Sequence, residues 1–147
     1  MLVQDKDYVF YEDSGVMNSK QPMKISNATV VGTKNYVFLI PTKTIGLFLV
    51  LDTIKNHSYF QGISIPQGVK KLIDTSNSVE DLEESLKALL QEDEKYVHFI
   101  PEWPSFKFKG FLGKHSLRLG KGGTGAWSSV TVNGKGNSKQ FRTYYGQ

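Results

Sequence analysis

The chain has 147 residues, 39% hydrophobic and 22% charged, with no cysteine and a net charge of +4. That length suits one domain over residues 1–147, and the apolar share is too high for a disordered chain. Lack of cysteine excludes a disulfide scaffold, a Cys-ligated zinc site and a thiol nucleophile.

The first residues, MLVQDKDYVFYED, carry acids early and hold no apolar core of a secretory signal. The longest apolar run, Ile45 to Leu51, has seven residues, where a membrane span needs roughly 20. The expectation is a cytoplasmic protein with no transmembrane segment. Asp7 to Glu12 reads as a short strand. Thr29–Val31 and Tyr36–Ile40 are β-branched or aromatic runs flanking GTKN, with Gly32 and Asn35 supplying turn chemistry. Pro41 is expected to end the second run, because it cannot donate to a ladder. Ile45–Leu51 reads as a strand covered on both faces. Ser58–Ile65 reads as another, ended by Pro66.

The spacing predicts a main helix over 78–91. Ser78 is its N-cap, with Asp81 three residues on. Val79, Leu82, Leu86, Leu89 and Leu90 make its apolar stripe. Acids crowd its first turns, where the helix dipole favours them, and Glu83 is placed to pair with Lys87. GVKKLID just before it reads as a short helical turn. Then β patterning returns: KYVHFI, SFKFKGFL, SLRL, AWSSVTV and KQFRTYY, the last separated by Gly-rich GKGGTG and NGKGNS. This order predicts the α+β class, with a curved antiparallel sheet or partly closed small barrel packed on helix 78–91. A pleckstrin-homology-like or oligonucleotide-binding-type barrel has the right size. The pleckstrin-homology helix closes its barrel from the C-terminal end, whereas the best helix here is central.

Charge is unevenly spread. Residues 1–94 hold 9 Lys/Arg and 13 Asp/Glu, and residues 95–147 hold 9 Lys/Arg and the single acid Glu102. Such asymmetry points to an anionic partner, or to two halves that neutralise each other in the fold. The densest stretch is SFKFKGFLGKHSLRLGKGG, residues 105–123, which reads as one hairpin. A two-residue turn at Gly113-Lys114 suits a type II′ hairpin. It sets Leu112 opposite His115, Gly110 opposite Leu117, Lys109 opposite Arg118 and Phe108 opposite Leu119. Phe106, Phe108, Leu112, Leu117 and Leu119 then share an inward face, with His115 leaning towards it. Lys107, Lys109, Phe111, Ser116 and Arg118 share the outward one. Candidate binding residues are Lys107, Lys109, Phe111, Lys114, Arg118 and Lys121, with Trp103 as an aromatic anchor that the two prolines of PEWP could present. The alternative for Trp103 is a place over the core, which is also the expectation for Trp127.

Other patterns carry less chemistry. GKGGTG does not match a phosphate loop and precedes a strand, so it reads as a flexible hairpin connection. His57, His98 and His115 have no metal-ligand spacing, no G-x-S-x-G elbow occurs, and no metal or cofactor is expected. Paired carboxylates such as Asp5 with Asp7 sit where solvent explains them. The reading is a non-catalytic binding domain offering a basic hairpin to an acidic partner. A protein heads that list, ahead of a lipid headgroup or nucleic acid. The alternative is a small enzyme or ligand carrier with a pocket between helix 78–91 and the sheet.

Overall fold

The computed structural model describes residues 1–19, 26–43, 54, 57–123 and 125–147, with only the backbone of Ser26, Lys43, Tyr59 and Phe111. The expected Ile45–Leu51 strand lies outside the described residues. Seven strands form one antiparallel sheet: β1 (Val9–Asn18), β2 (Ser26–Gly32), β3 (Tyr36–Lys43), β4 (Val97–Phe99), β5 (Ser105–Phe111), β6 (Lys114–Gly120) and β7 (Trp127–Val132). Their spatial order is β4-β3-β2-β1-β7-β6-β5, so the sheet is not closed and β4 and β5 are its edges. Among the described residues, three α-helices accompany it: α1 (Ile65–Thr75), α2 (Val79–Leu89) and α3 (Lys135–Tyr144). This is the α+β class with a curled antiparallel sheet. None of these helices is long and apolar enough to cross a membrane.

The sheet is two meanders joined by β1, which pairs with β2 on one side and β7 on the other. β1 serves both because it bends. The β1–β2 register shifts between Tyr11 and Ser14, and such a bulge kinks a strand and increases its twist. The polar groups there are satisfied. Thr29 Oγ1 donates to the Glu12 carbonyl at 2.9 Å. The Asp13 carboxylate accepts from Asn27 Nδ2 at 3.1 Å and from Asn133 Nδ2 at 2.6 Å. The bulge adds one residue, with Glu12 and Asp13 opposite Thr29, which shifts the alternation so that Tyr11, Ser14 and Val16 are all buried.

Apolar packing forms two layers. On one face of β2–β3, Val31, Phe38 and Ile40 meet Val69 and Leu72 of α1 and Leu82 and Leu86 of α2. On the other face, Val30, Val37 and Leu39 meet Leu117, Val130 and Phe141, the last from α3. Burial on both faces explains why β2 and β3 read as nearly unbroken β-formers rather than as an alternation. Gly32 has a packing role as well as a turn nearby. A Cβ there would collide with the Tyr145 hydroxyl and Val9. Tyr145 uses that hydroxyl to donate to the carbonyls of Thr33 and Tyr36, at 2.8 and 3.1 Å.

The main helix forms where the sequence places it, and the Ser78 hydroxyl accepts from the Asp81 amide at 3.1 Å. Its charge pairing differs. Glu83 is buried and accepts from the Thr33 hydroxyl at 2.6 Å, while Lys87 pairs with Glu84 at 2.6 Å. Four other expectations need correction. Ser58–Ile65 is no strand: after a 3-10 turn over Ser58–Phe60, Ser64 caps α1, exchanging bonds with Gln67 in a capping box. GVKKLID is the body of that helix, an 11-residue element. β3 does not stop at Pro41. Ala28 pairs with Pro41 and Asn27 with Lys43, so Thr42 is the extra residue of a bulge, a position where a strand tolerates proline. Finally, KQFRTYY and most of NGKGNS form α3, whose buried Ser138, Phe141 and Tyr144 recur at helical spacing.

Candidate functional site

The basic hairpin is β5–β6, and its turn is Leu112-Gly113, with φ of 53° and 82°. Two positive φ values make a type I′ turn, not the expected II′. The register pairs Phe106 with Leu119, Lys107 with Arg118, Phe108 with Leu117, Lys109 with Ser116 and Gly110 with His115. The expected pairing is two positions out. A slip of two leaves every strand side chain on its own face, whereas a slip of one would exchange the faces. The observed register gains a second Phe–Leu pair. It also puts Gly110 beside the His115 ring, where a Cβ would press on the imidazole.

Phe106 and Phe108 therefore turn inward as expected, each meeting an aromatic of the last segment: Tyr145 and Phe141, with centroids 5.1 Å apart in both cases. Leu112 departs from the inward set and is 78% exposed at the hairpin tip. On the outward face, exposed Lys107 lies directly opposite exposed Arg118, with Ser129 of β7 and Met17 of β1 continuing the row. The next row runs from exposed Lys109 through Ser116 to Thr131, whose hydroxyls bond at 2.6 Å. A shallow cleft of about 290 Å³ lies along this face, between Lys107, Lys109, Arg118, Ser105 and Trp127. Trp127 is 39% exposed and so is not a core residue. Alternation with the buried Ser128, Val130 and Val132 is the sequence signal that places it outward.

No helix among the described residues covers this face, because α1 and α2 pack on β2–β3 and α3 packs on the inner side. Ion pairs among the described residues form elsewhere: Lys70 with Asp74, Lys87 with Glu84, Lys95 with Asp93 and Lys121 with Glu94. Lys107, Lys109, Lys114 and Arg118 make no ion pair among the described residues. Lys114, exposed, follows the tip and pairs through its backbone with Phe111. The side chain of Phe111 lies outside the described residues.

Two candidates leave the face. Lys121 is 2.5 Å from the Glu94 carboxylate and 4.9 Å above the Trp103 ring. Trp103 is 5% exposed and packs at a tilt against His98, with ring centroids 5.0 Å apart. The PEWP segment thus folds its indole over the core, with Ile100–Glu102 as a 3-10 turn.

His98 sits on β4, where it is fully buried, and its Nε2 lies 3.3 Å from Ser128 Oγ across the inner layer. Nδ1 has no hydrogen-bond partner among the described residues. Burial drives its pKa down to about 4, and nearby Lys121 adds to this against the opposing effects of Val37 and Glu94. The imidazole is a neutral cross-layer strut. It does not line a cavity between α2 and the sheet, which is filled by Val31, Phe38, Ile40, Leu82, Leu86 and Leu90. An open cleft of about 560 Å³ does run along the outside of α1 and α2, past His57, Asp81 and Glu84. Among the described residues, no cluster of His and acids could hold a metal ion. No protein-family model, no curated protein and no solved structure matches this chain.

Proposed function

We propose that this chain is a non-catalytic binding domain whose outward β5–β6 face docks an acidic protein. One observation carries the reading: Lys107, Lys109 and Arg118 stand together on a sheet face that no described helix covers and have no carboxylate partner among the described residues, while four other lysines pair with acids elsewhere. Lys107 and Arg118 are directly opposed, and like charges so placed weaken a sheet. An acidic surface relieves that repulsion and gains steering from it. The face suits a protein better than phosphates. Its cations are few and interspersed with the hydroxyls of Ser116, Ser129 and Thr131, whereas nucleic-acid surfaces are more heavily cationic and offer stacking rings.

We also propose that the fold is of the pleckstrin-homology-like kind. The central position of the main helix α2 counts against that architecture, while α3, which follows β7 and packs on the inner layer, supports it.

The test is binding of poly-L-glutamate, a single-stranded oligonucleotide and phosphatidylserine vesicles at 50 and 200 mM salt. The measurement compares the natural chain with Lys107→Glu/Lys109→Glu/Arg118→Glu. The expected result is salt-sensitive binding of polyglutamate, weakened about tenfold or more by the triple reversal. Unchanged binding after reversal, or binding of only the oligonucleotide or vesicles, would overturn the reading.

A further inference from the structure

The two sheet edges are unequal. β4 offers three residues and runs directly into a 3-10 turn containing Pro101, which makes it a poor template. β5 has seven residues, none of them proline. In the β5–β6 register, Ser105, Lys107, Lys109 and Phe111 face β6 with their backbone groups, because Phe111 and Lys114 close the two-residue turn. The backbone groups of Phe106, Phe108 and Gly110 therefore point off the edge.

That edge already holds an amide. Gln147 Nε2 donates to the Phe106 carbonyl at 2.9 Å, and Gln147 Oε1 accepts from the Phe108 N–H at 3.1 Å. A primary side-chain amide thus does at this edge what a peptide group of another strand would do. The Phe106 N–H, the Phe108 carbonyl and both groups of Gly110 have no partner among the described residues. Lys107 and Lys109 stand beside the same edge on its outward face. Lysines and a capping amide are also ways to keep an edge from self-pairing, and the experiment below separates the two roles.

We propose that β5 is a strand-addition site, at which an extended acidic peptide displaces the Gln147 side chain and pairs with Phe106–Gly110. Its alternate carboxylates lie over Lys107 and Lys109, its main chain supplies affinity and its side-chain pattern supplies selectivity. This deepens the docking reading above and rests on it for the sign of the partner's charge, but not for the existence of the edge.

The probe is a fluorescent decapeptide of alternating Glu and Thr, compared with two versions N-methylated at all Glu or at all Thr. In an added strand only one of these sets directs its N–H groups at β5. Methylation of one set is expected to weaken binding at least about tenfold, with the other set nearly silent. Gln147→Ala should tighten binding severalfold, and exchange of the Gly110 amide should slow in the complex. Equal effects of the two methylated peptides, or no binding to the Gln147→Ala protein, would overturn strand addition. If binding ignores methylation but is lost in the triple Lys/Arg reversal, the docking face stands and the strand does not. If binding depends on methylation but survives the reversal, the edge stands and the acidic partner does not.

Discussion

The two meanders of this sheet use similar residues in opposite ways. β2 and β3 are covered on both faces, by α1 and α2 outside and by the inner layer within. Among the described residues, β5 and β6 are covered on one face only, with cations on the other. The doubly covered positions of β2 and β3 therefore carry apolar side chains or satisfied polar ones, such as Thr29 bonded to the bulge carbonyl. The second is free to vary its outward residues at little cost to folding, and that freedom leaves them available for recognition. The candidate chemistry therefore lies on the meander whose outward face is open among the described residues.

The sharpest way to break this contrast is truncation. Phe38 is fully buried between β3 and the helices, so Phe38→Ala should cost about 3–5 kcal/mol. Lys107→Ala, on the open face, should change stability by no more than about 0.5 kcal/mol. Urea unfolding of both variants measures the difference. Comparable losses would mean that the outward face also supports the fold.

The next effect lies at the seam. His98 joins the meanders through Ser128, with a pKa lowered from 6.5 to about 4 in the folded chain. Between those values the unfolded chain binds a proton that the folded chain refuses. The contribution of His98 is therefore complete above pH 6.5 and falls by about 3 kcal/mol as the pH drops to 4. Glu94 and Lys121 act on the ring with opposite sign, so the informative quantity is the difference from His98→Gln. That variant should lose less stability between pH 7 and 4.5 than the natural chain. Parallel pH profiles would show that the seam does not exclude the proton.

The legibility of each part follows from the same contrast. The inward and outward sets of the hairpin are readable because Phe106, Phe108, Leu117 and Leu119 alternate with Lys107, Lys109 and Arg118, and the faces survive a slip of two. The turn itself is not readable, since Gly113 can serve as the first or the second central residue. Strand-forming Phe141, Tyr144 and Tyr145 disguise α3, and its N-cap is Gly134 with no capping side chain. A Ser-x-x-Gln box with proline does announce α1, but Ile63 and Ile65 on either side of the Ser64 cap imitate a strand. The fate of the charges is the least local property. Only three-dimensional placement sends Glu94 to Lys121 and leaves Arg118 without a carboxylate among the described residues.

The smallest effect sharpens the contrast most directly. Lys107 and Arg118 face each other across β5 and β6 in water, so their repulsion should be a few tenths of a kcal/mol at low salt. A double-mutant cycle with Lys107→Gln and Arg118→Gln isolates that term from strand propensity and from the lost side-chain packing. The expected coupling is destabilising by about 0.2–0.5 kcal/mol in 20 mM salt and close to zero in 0.5 M salt. Bound polyglutamate should abolish it or reverse its sign, because a carboxylate between the two cations turns mutual repulsion into shared attraction. A coupling that is already favourable in the free protein would mean that some group of the chain itself bridges them, and the face would then have no unmet charge to offer.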